Sequence, residues 1–351
     1  MLNSILGLFS HDVGIDLGTT HTFVLVLGKG IVIREPSFVA RHKKTKKILA
    51  IGTEAKKMMG KTPENIEALR PLRHGVIADF DATEAMLHHY IREVHQSGGM
   101  IPKVPRPRVV VGVPSGVTEV ERRAVQDAAL NAGARQAFLI EEPMAAAIGV
   151  GLPINNPTGL FICDIGGGTT EMAIISLGGI VLNRSLRIAG DEMDEAVINF
   201  IRLKHSLLIG LPTAEEVKIS LGSASPPTGG KQERQMVIRG RDLEKGLPRS
   251  LKVTMSEIRE ALAPVINQIV GNLSELLEET PPELTSDIVT RGLVLCGGGA
   301  LIEGLDKFIA DELKLPVWVA DDPMTAVVRG CGKVLEDPSL LNKVKIAGGL
   351  K

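Results

Sequence analysis

The chain carries one short phrase twice, and that duplication constrains its fold more than any other feature. Residues 13–20 read Val-Gly-Ile-Asp16-Leu-Gly18-Thr19-Thr20, and residues 161–170 read Phe-Ile-Cys-Asp164-Ile-Gly166-Gly167-Gly168-Thr169-Thr170. Each copy is an apolar run, then Asp-aliphatic-Gly, then a Gly/Thr turn, then a second apolar run. The two aspartates lie 148 positions apart in a chain of 351 residues. That spacing implies two similar α/β halves facing each other across a cleft. Turns of Gly and Thr offer unobstructed backbone N–H groups and hydroxyls, the donors that phosphate oxygens need. An Asp at the end of each strand can hold a hydrated Mg²⁺ between the halves. A nucleoside triphosphate clamped between two hairpins is the first expectation.

At 351 residues the chain is too long for one compact core by the usual scaling, so two or more domains are expected. Charged residues make up 23% and the net charge is −1, so no basic excess supports a nucleic-acid role. Aromatics at 3% are low for a base-stacking surface and imply a core of Ile, Leu, Val and Ala. The basic run Arg41 to Lys47 lies between strand-like runs at 31–40 and 48–52 and reads as a solvated hairpin tip. Cys163, Cys296 and Cys331 form no CxxC pair and fit buried free thiols in a reducing cytoplasm. The eight histidines show no HExxH or other ligand spacing. His88, His89 and His95 fall on a helical segment and read as surface or boundary residues. No run approaches the ~18 apolar residues of a membrane span. The first ten residues lack the basic region and cleavage site of a signal peptide.

Strands and helices alternate along the chain, which favours an α/β architecture. The β-branched run Arg108 to Val113 ends at Pro114 and reads as a buried strand. Thr118 and Glu121 form a capping box for a helix that stops near Gly133. A strand at Phe138 to Glu141 is followed by Pro143, which opens an Ala-rich helix over Met144 to Gly151. In the second half, a helix from Gly190 runs to about Leu208. A short helix then starts at Thr213, with Glu216 completing another capping box. Gly222 to Gly230 is a loop rich in Ser, Pro and Gly. Gln235 to Arg239 and Leu251 to Thr254 are strand-like, and Ser256 to Glu279 is a long amphipathic helix with a candidate bend at Pro264. A strand at Leu293 to Cys296 leads into Gly297-Gly298-Gly299. A helix from Ala300 to about Leu313, a strand at Val317 to Ala320 and a last helix from Met324 complete the chain. The four special turns, after Leu17, Glu141, Ile165 and Cys296, fall at the carboxyl ends of strands, where such folds bind ligands.

No single turn is decisive. There is no GxxxxGK[ST] P-loop, and no GxGxxG opens a helix near the N-terminus. Glu141-Glu142-Pro143 lies between the two copies of the phrase. A carboxylate at that corner can orient or deprotonate an attacking water, or simply serve the helix N-terminus, where acids are favoured. The residues alone leave both readings open. Gly297-Gly298-Gly299-Ala300 offers a backbone surface suited to an adenine or a ribose. Glu215, Glu216 and Lys218 share one short helix, and either bond the nucleoside or form a solvated face.

Taken in order, these elements resemble the actin, sugar kinase and heat-shock ATPase superfamily and, within it, the MreB family of bacterial actins. The resemblance is carried by Ile15-Asp-Leu-Gly-Thr19, Arg108-Val-Val-Val-Gly-Val-Pro114, Thr118-Glu-Val-Glu-Arg-Arg123 and Ile140-Glu-Glu-Pro-Met-Ala-Ala-Ala-Ile-Gly149. It is carried further by Asp164-Ile-Gly-Gly-Gly-Thr-Thr-Glu171, by Ala214-Glu215 and Lys218 with Gly222-Ser-Ala224, and by Leu295-Cys-Gly-Gly-Gly-Ala-Leu301. It covers residues 10 to 340. The resemblance implies an actin-like ATPase fold: two duplicated α/β domains facing a nucleotide cleft, each with a small subdomain. Residues 11–150 would form the first, with its subdomain near 32–80 and a return helix near 323–351; residues 151–322 would form the second, with its subdomain near 190–255. The nucleotide implied is ATP, with GTP left open, and Asp16 and Asp164 would support Mg²⁺ through water. Gly18, Thr19 and Thr20 would cradle phosphates from one side, and Gly166, Gly167, Gly168 and Thr169 from the other. Glu142 would position the hydrolytic water with Thr169 nearby. Glu215, Glu216, Val217 and Lys218, with Gly297, Gly298, Gly299 and Ala300, would bind the nucleoside. Slow hydrolysis coupled to polymerisation is implied too, with paired protofilaments on the inner face of the cytoplasmic membrane. So are cell-wall elongation and membrane adaptor proteins as partners, and a role in cell shape. No nucleic-acid partner is expected.

One turn departs from the family pattern. Gly18-Thr-Thr-His21-Thr22 stands where the family usually reads Gly-Thr-Ala-Asn-Thr, so Thr20 adds a hydroxyl and His21 replaces an amide. A different hydrolysis rate or nucleotide preference is expected. Gly-Thr-Thr is closer to the heat-shock chaperones, but the chain ends at Lys351 without room for a substrate-binding domain. The rival readings are a small-molecule kinase, for which no substrate site or catalytic Asp stands out, and a monomeric assembly ATPase. In Met1 to Ser10, Leu2, Ile5, Leu6 and Phe9 fall at helical spacing. That suits an amphipathic helix in a lipid interface, or alternatively an element packed on the protein body. Met100 and Ile101, in Gly98 to Pro102, are a second insertion point by resemblance to the family's membrane loop. Without Lys or Arg in the first segment, one copy is expected to bind lipid weakly and a filament of many copies firmly.

Overall fold

The repeated phrase builds the same structure twice. In a computed structural model that describes residues 10–96, 106–226 and 233–346, two five-stranded sheets share one strand order. The first runs Gln136–Glu141, Arg108–Val113, Val13–Leu17, His21–Val26, Gly30–Pro36. The second runs Val317–Val319, Leu293–Cys296, Leu160–Ile165, Thr170–Ser176, Gly179–Leu186. In each, the phrase supplies the middle strand and its antiparallel hairpin partner, and the strand on the other side is parallel. The middle strands are buried along almost their whole length. Strands covered on both faces read as continuous apolar runs rather than as alternating ones. On the neighbouring parallel strands Asp16 sits opposite Gly112 and Asp164 opposite Cys296, so both aspartates end their strands at matching heights.

A small sheet is attached to each large one. Val39–His42, Ile48–Ile51 and Ile66–Leu69, with the helix Thr53–Met58, join the first; Leu207–Leu208, Gln235–Asp242 and Pro248–Thr254 join the second. The Arg41 to Lys47 run forms the expected hairpin tip between two of these strands, but Arg41 itself turns inward and pairs with Glu67 at 2.7 Å and with Asp79. All three cysteines are buried free thiols.

One apolar cluster joins the halves. Val110 and Ile140 from the first sheet meet Ile162 and Ile175 from the second across two helices, Glu142–Val150 and Ala326–Glu336. These helices cross backbone to backbone. A Cβ built on Gly149 would lie 1.8 Å from the Ala326 carbonyl oxygen, and one on Gly330 would lie 1.8 Å from that of Ala145.

Several boundaries differ from the sequence reading, each for a local reason. The run 31–40 breaks after Pro36, giving strands Gly30–Pro36 and Val39–His42. The helix from Gly190 stops at His205, where Ser206 takes a left-handed conformation, and Leu207–Leu208 then pairs with the accessory sheet. The next helix is Leu211–Leu221 and carries no capping box at Thr213, because Pro212 already sits preformed in its first turn. After Gly297 the chain makes a 3₁₀ turn, Gly298–Leu301, and Gly304 at φ +76° separates it from the helix Leu305–Leu313. The last helix begins at Ala326 after a short 3₁₀ turn, and Pro338 starts a further one. The capping box at Thr118 and Glu121 is present, and Thr254 with Glu257 forms a second that the sequence reading did not single out. His95 is buried, not at the boundary: its Nδ1 meets the Ile91 carbonyl at 2.6 Å and its Nε2 accepts the His11 backbone N–H at 3.1 Å.

The helix crossing generates a paired prediction. Gly330→Ala drives a methyl into backbone and is expected to lower stability by roughly 1–3 kcal/mol, the usual range for overpacking. Gly271→Ala, in the helix Met255–Glu278 with nothing near its Cβ, is expected to raise stability by about 0.8–1 kcal/mol through helix propensity. Thermal unfolding of both variants checks the contrast, and equal melting temperatures would contradict it.

Candidate functional site

The strand ends deliver both repeated turns to one cleft of about 300 Å³. Asp16, Gly18, Thr19, Thr20 and His21 line one wall; Asp164, Gly166, Gly167, Gly168 and Thr169 line the other. The two turns touch. A Cβ on Gly167 would fall 1.3 Å from Thr20 Oγ1, and one on Gly168 would fall 2.6 Å from Thr19 Oγ1. Glycine is therefore required at both positions by the facing turn. Ser37 Oγ fixes the first turn by donating to the Gly18 carbonyl at 2.6 Å, and the Gly166 N–H closes the second on the Thr169 carbonyl at 2.9 Å. Thr19 Oγ1 accepts the Gly75 N–H at 3.0 Å. Thr20 Oγ1 is buried and meets no hydrogen-bond partner among the described residues. An orphaned hydroxyl beside bare glycine backbone fits a phosphate oxygen.

Carboxylates crowd the seam between the turns. Glu142 occupies the first turn of its helix, as an N-terminal acid would, and its side chain also lines the cleft. Burial first, then the charges of Glu171, Asp16 and Asp164, holds its carboxyl well above the usual range. Asp16 is raised in the same way, by burial and then by Asp164. Burial and then Glu171 push Asp164 up to about 7. Glu171 also reaches about 7 through burial, against hydrogen bonds donated by Ser185 Oγ at 2.5 Å and the Ser115 N–H at 3.0 Å. A cation would relieve this crowding. Among the described residues no three His, Cys, Asp or Glu side chains converge to hold an ion by themselves. Mg²⁺ keeps much of its water and takes one or two carboxylates together with phosphate oxygens. Asp16 and Asp164 fit that pattern, provided a polyphosphate shares the ion.

The wall formed by Leu211–Leu221 sorts its residues by helix face. Glu215 and Lys218, three apart on Leu211–Leu221, both line the cleft. Glu216 is exposed and Val217 is buried in the core, so neither reaches it. Lys218 Nζ is held by Asp194 Oδ1 at 2.8 Å and by the Gly190 carbonyl at 2.8 Å. Gly297, Gly298 and Gly299 line the cleft, whereas Ala300 packs into the core behind them. The sequence reading missed Gly190, Met193, Ile219, Gly222, Leu301, Ile302, Pro323 and Met324 in the lining. Ile219 and Leu301, 74% and 58% exposed, form apolar walls at the mouth. The i,i+4 relation of Ile219 to Glu215 was the available signal.

Among the described residues, ion pairs cross the cleft. Lys56, on the helix of the first small sheet, pairs with Glu215 at 2.7 Å, and Arg70 pairs with Asp191. Leu2, Ile5, Leu6, Phe9, Met100 and Ile101 lie outside the described residues. Among the described residues no helix is long and apolar enough to cross a membrane.

Asp194 gives the site a pH signature. Burial pushes its carboxyl from 3.8 up to about 6, against the pull of Lys218. The folded chain therefore holds this proton more tightly than the unfolded one does. Its contribution to stability is full below the ordinary Asp range and is lost as pH rises from about 4 through about 6. Asp194→Asn is expected to flatten that part of the melting-temperature profile. A profile with unchanged slope would place the titration elsewhere.

Residues 10–343 match the MreB/Mbl protein family. Cell shape-determining protein MreB of Escherichia coli (strain K12) is 52% identical over 340 residues, which is 96% of this chain and 96% of that protein. Cell shape-determining protein Mbl of Bacillus subtilis (strain 168) is 45% identical over 340 residues, 97% of this chain and 100% of Mbl. The crystal structure of MreB5 of Spiroplasma citri bound to ADP superposes with a TM-score of 0.88 at 40% identity, covering 95% of this chain and 98% of that one. The AMPPNP-bound form of MreB5 matches to the same degree. The doubled sheets and the shared cleft are thus the actin-like ATPase fold, and the chain belongs to the MreB/Mbl family.

Proposed function

We propose that this protein is a slow ATPase whose nucleotide cycle drives its assembly into paired protofilaments. The filaments lie on the inner face of the cytoplasmic membrane, where with adaptor and cell-wall elongation proteins they organise wall synthesis and set cell shape. The observation that carries the reading is the pair of touching Gly/Thr turns, each following an Asp, with buried Glu142 at their seam. Membership of a family whose relatives are named cell shape-determining proteins supports it, as does the capture of ADP and AMPPNP by the S. citri relative.

The residues divide the work by chemistry. Backbone N–H groups and hydroxyls of Gly18, Thr19, Thr20 and Gly166 to Thr169 bind and orient the phosphates. Mg²⁺, when bound, neutralises phosphate charge and the charge of Asp16 and Asp164. Glu142 orients the attacking water and accepts its proton at the carboxylate, and the Thr169 hydroxyl steadies that water. Glu215 and Lys218 bond the nucleoside, whose flat base lies between the glycine surface and the apolar walls of Ile219 and Leu301.

Glu142→Ala is expected to leave Mg-ATP binding largely intact and to slow turnover by roughly 10²–10⁴-fold, the usual loss on removing a general base. Phosphate release and equilibrium binding check it together, and an unchanged turnover rate would refute the assignment. Sedimentation with Mg-ATP is expected to pellet polymer. A chain that stays monomeric across a wide concentration range, with lipid and Mg-ATP both present, returns the reading to a kinase or a monomeric ATPase.

The membrane part of the reading has its own test. The intact chain is expected to float with neutral as well as anionic liposomes, most strongly under polymerising conditions. A truncation beginning at His11, combined with Met100→Ser and Ile101→Ser, is expected to stay in solution. Flotation of that variant equal to the intact chain's sinks the membrane assignment.

A further inference from the structure

We propose that His21 binds the polyphosphate of the nucleotide as an imidazolium, so that nucleotide binding is accompanied by proton uptake at this side chain. The inference rests on the nucleotide reading above and concerns the same cleft.

The phosphate-facing turns are poor in positive charge. Between Val13 and Val26, and between Leu160 and Ser176, there is no Lys or Arg, and His21 is the only basic residue in either hairpin. Of the side chains lining the cleft, the bases are His21 and Lys218. Lys218 is already held by Asp194 and the Gly190 carbonyl. The His21 ring is half-buried at the start of its strand and stacks on Phe23 at a centroid distance of 6.2 Å. Among the described residues its nitrogens make no hydrogen bond. It is therefore the one uncommitted base in the lining.

Its surroundings disfavour the charged ring. Lys56 faces it from the helix Thr53–Met58, Arg70 from the loop after Ile66–Leu69, and Glu215 and Lys218 from Leu211–Leu221. Burial, and then the charge of Lys56, hold the imidazole below its ordinary range; Glu215 opposes them, while Arg70 and Lys218 add to the depression. A polyphosphate brings several negative charges against this ring, and opposite charge at close range favours the protonated form. The bound nucleotide thus raises the affinity of His21 for a proton, and by reciprocity the proton raises the affinity for the nucleotide. Below neutral pH binding tightens; above it the contact reverts to a neutral ring. Adenosine, which lacks phosphate, gains nothing from this residue.

The test uses the full chain with Mg-ADP and with adenosine. Imidazole carbon–proton NMR spectra, with His21 identified by its loss in His21→Asn, read the titration of the ring directly and need no variant for the measurement itself. The His21 signal is expected to titrate at least one pH unit higher with ADP than without. A one-unit rise makes ADP bind roughly three- to fivefold more tightly at pH 6 than at pH 8 through this side chain, approaching about tenfold only between a pH well below the free ring's titration and one well above the bound ring's. Calorimetry in buffers of different ionisation heat is expected to show proton uptake with ADP that His21→Asn and His21→Gln both lose. The two variants are compared with the parent at the same Mg²⁺ concentration, so that protons released from Asp16 and Asp164 cancel. A His21 signal that titrates at the same pH with and without ADP overturns the proposal, as does proton uptake undiminished in both variants, while the nucleotide reading stands. Failure of the parent chain to bind Mg-ADP at any pH sinks both together.

Discussion

Buried negative charge is the constraint around which this molecule is arranged. Asp16, Glu142, Asp164 and Glu171 are drawn together where the two sheets meet, each raised first by burial and then by a neighbouring acid. A soluble fold does not gather carboxylates in this way for stability, because each charge loses water and gains a like neighbour. A cation among these carboxylates would offset the repulsion between them. Function is therefore visible as a local cost, placed at the one position that both copies of the duplicated phrase can reach.

That cost is tolerated because the rest of the seam is dry and tightly packed. The crossing of Glu142–Val150 with Ala326–Glu336 leaves no room for a side chain at Gly149 or Gly330. It carries Glu142 into the cleft on the first turn of a helix whose other residues are almost all buried. The position of the acid is thus set by the packing of this helix.

How much of this was legible depended on the range of the interaction. Asp16, Asp164 and the turns after them were readable because each is a contiguous phrase, and two copies had to be explained at once. The strand-end position of Glu142 was readable for the same reason, although only the packed helix shows that N-terminal acid and cleft acid are one residue. Glu215 and Lys218 were readable as a helical pair, but Glu216 and Val217 were included with them, because assigning a face requires knowing which side of Leu211–Leu221 the core occupies. Ala300 failed likewise: a 3₁₀ turn placed it behind the glycines. The ion pairs of Lys56 with Glu215 and of Arg70 with Asp191 join residues 159 and 121 positions apart, and no local pattern encodes them.

Two kinds of contact hold the halves together, ion pairs across the cleft and an apolar cluster at the helix crossing. Largely buried ion pairs such as Lys56–Glu215 set their attraction against the water both charges lose and the entropy of ordering two long side chains. The apolar cluster at the helix crossing instead excludes water from several fully buried side chains, each worth about 1.5–3 kcal/mol relative to exposure. Close to the seam, the two Gly/Thr turns touch through Thr20 and Gly167. His21 lies inside the cleft near Lys56 and Glu215. A ligand that engages His21 thus meets the nucleotide wall and the cross-cleft pair at the same point.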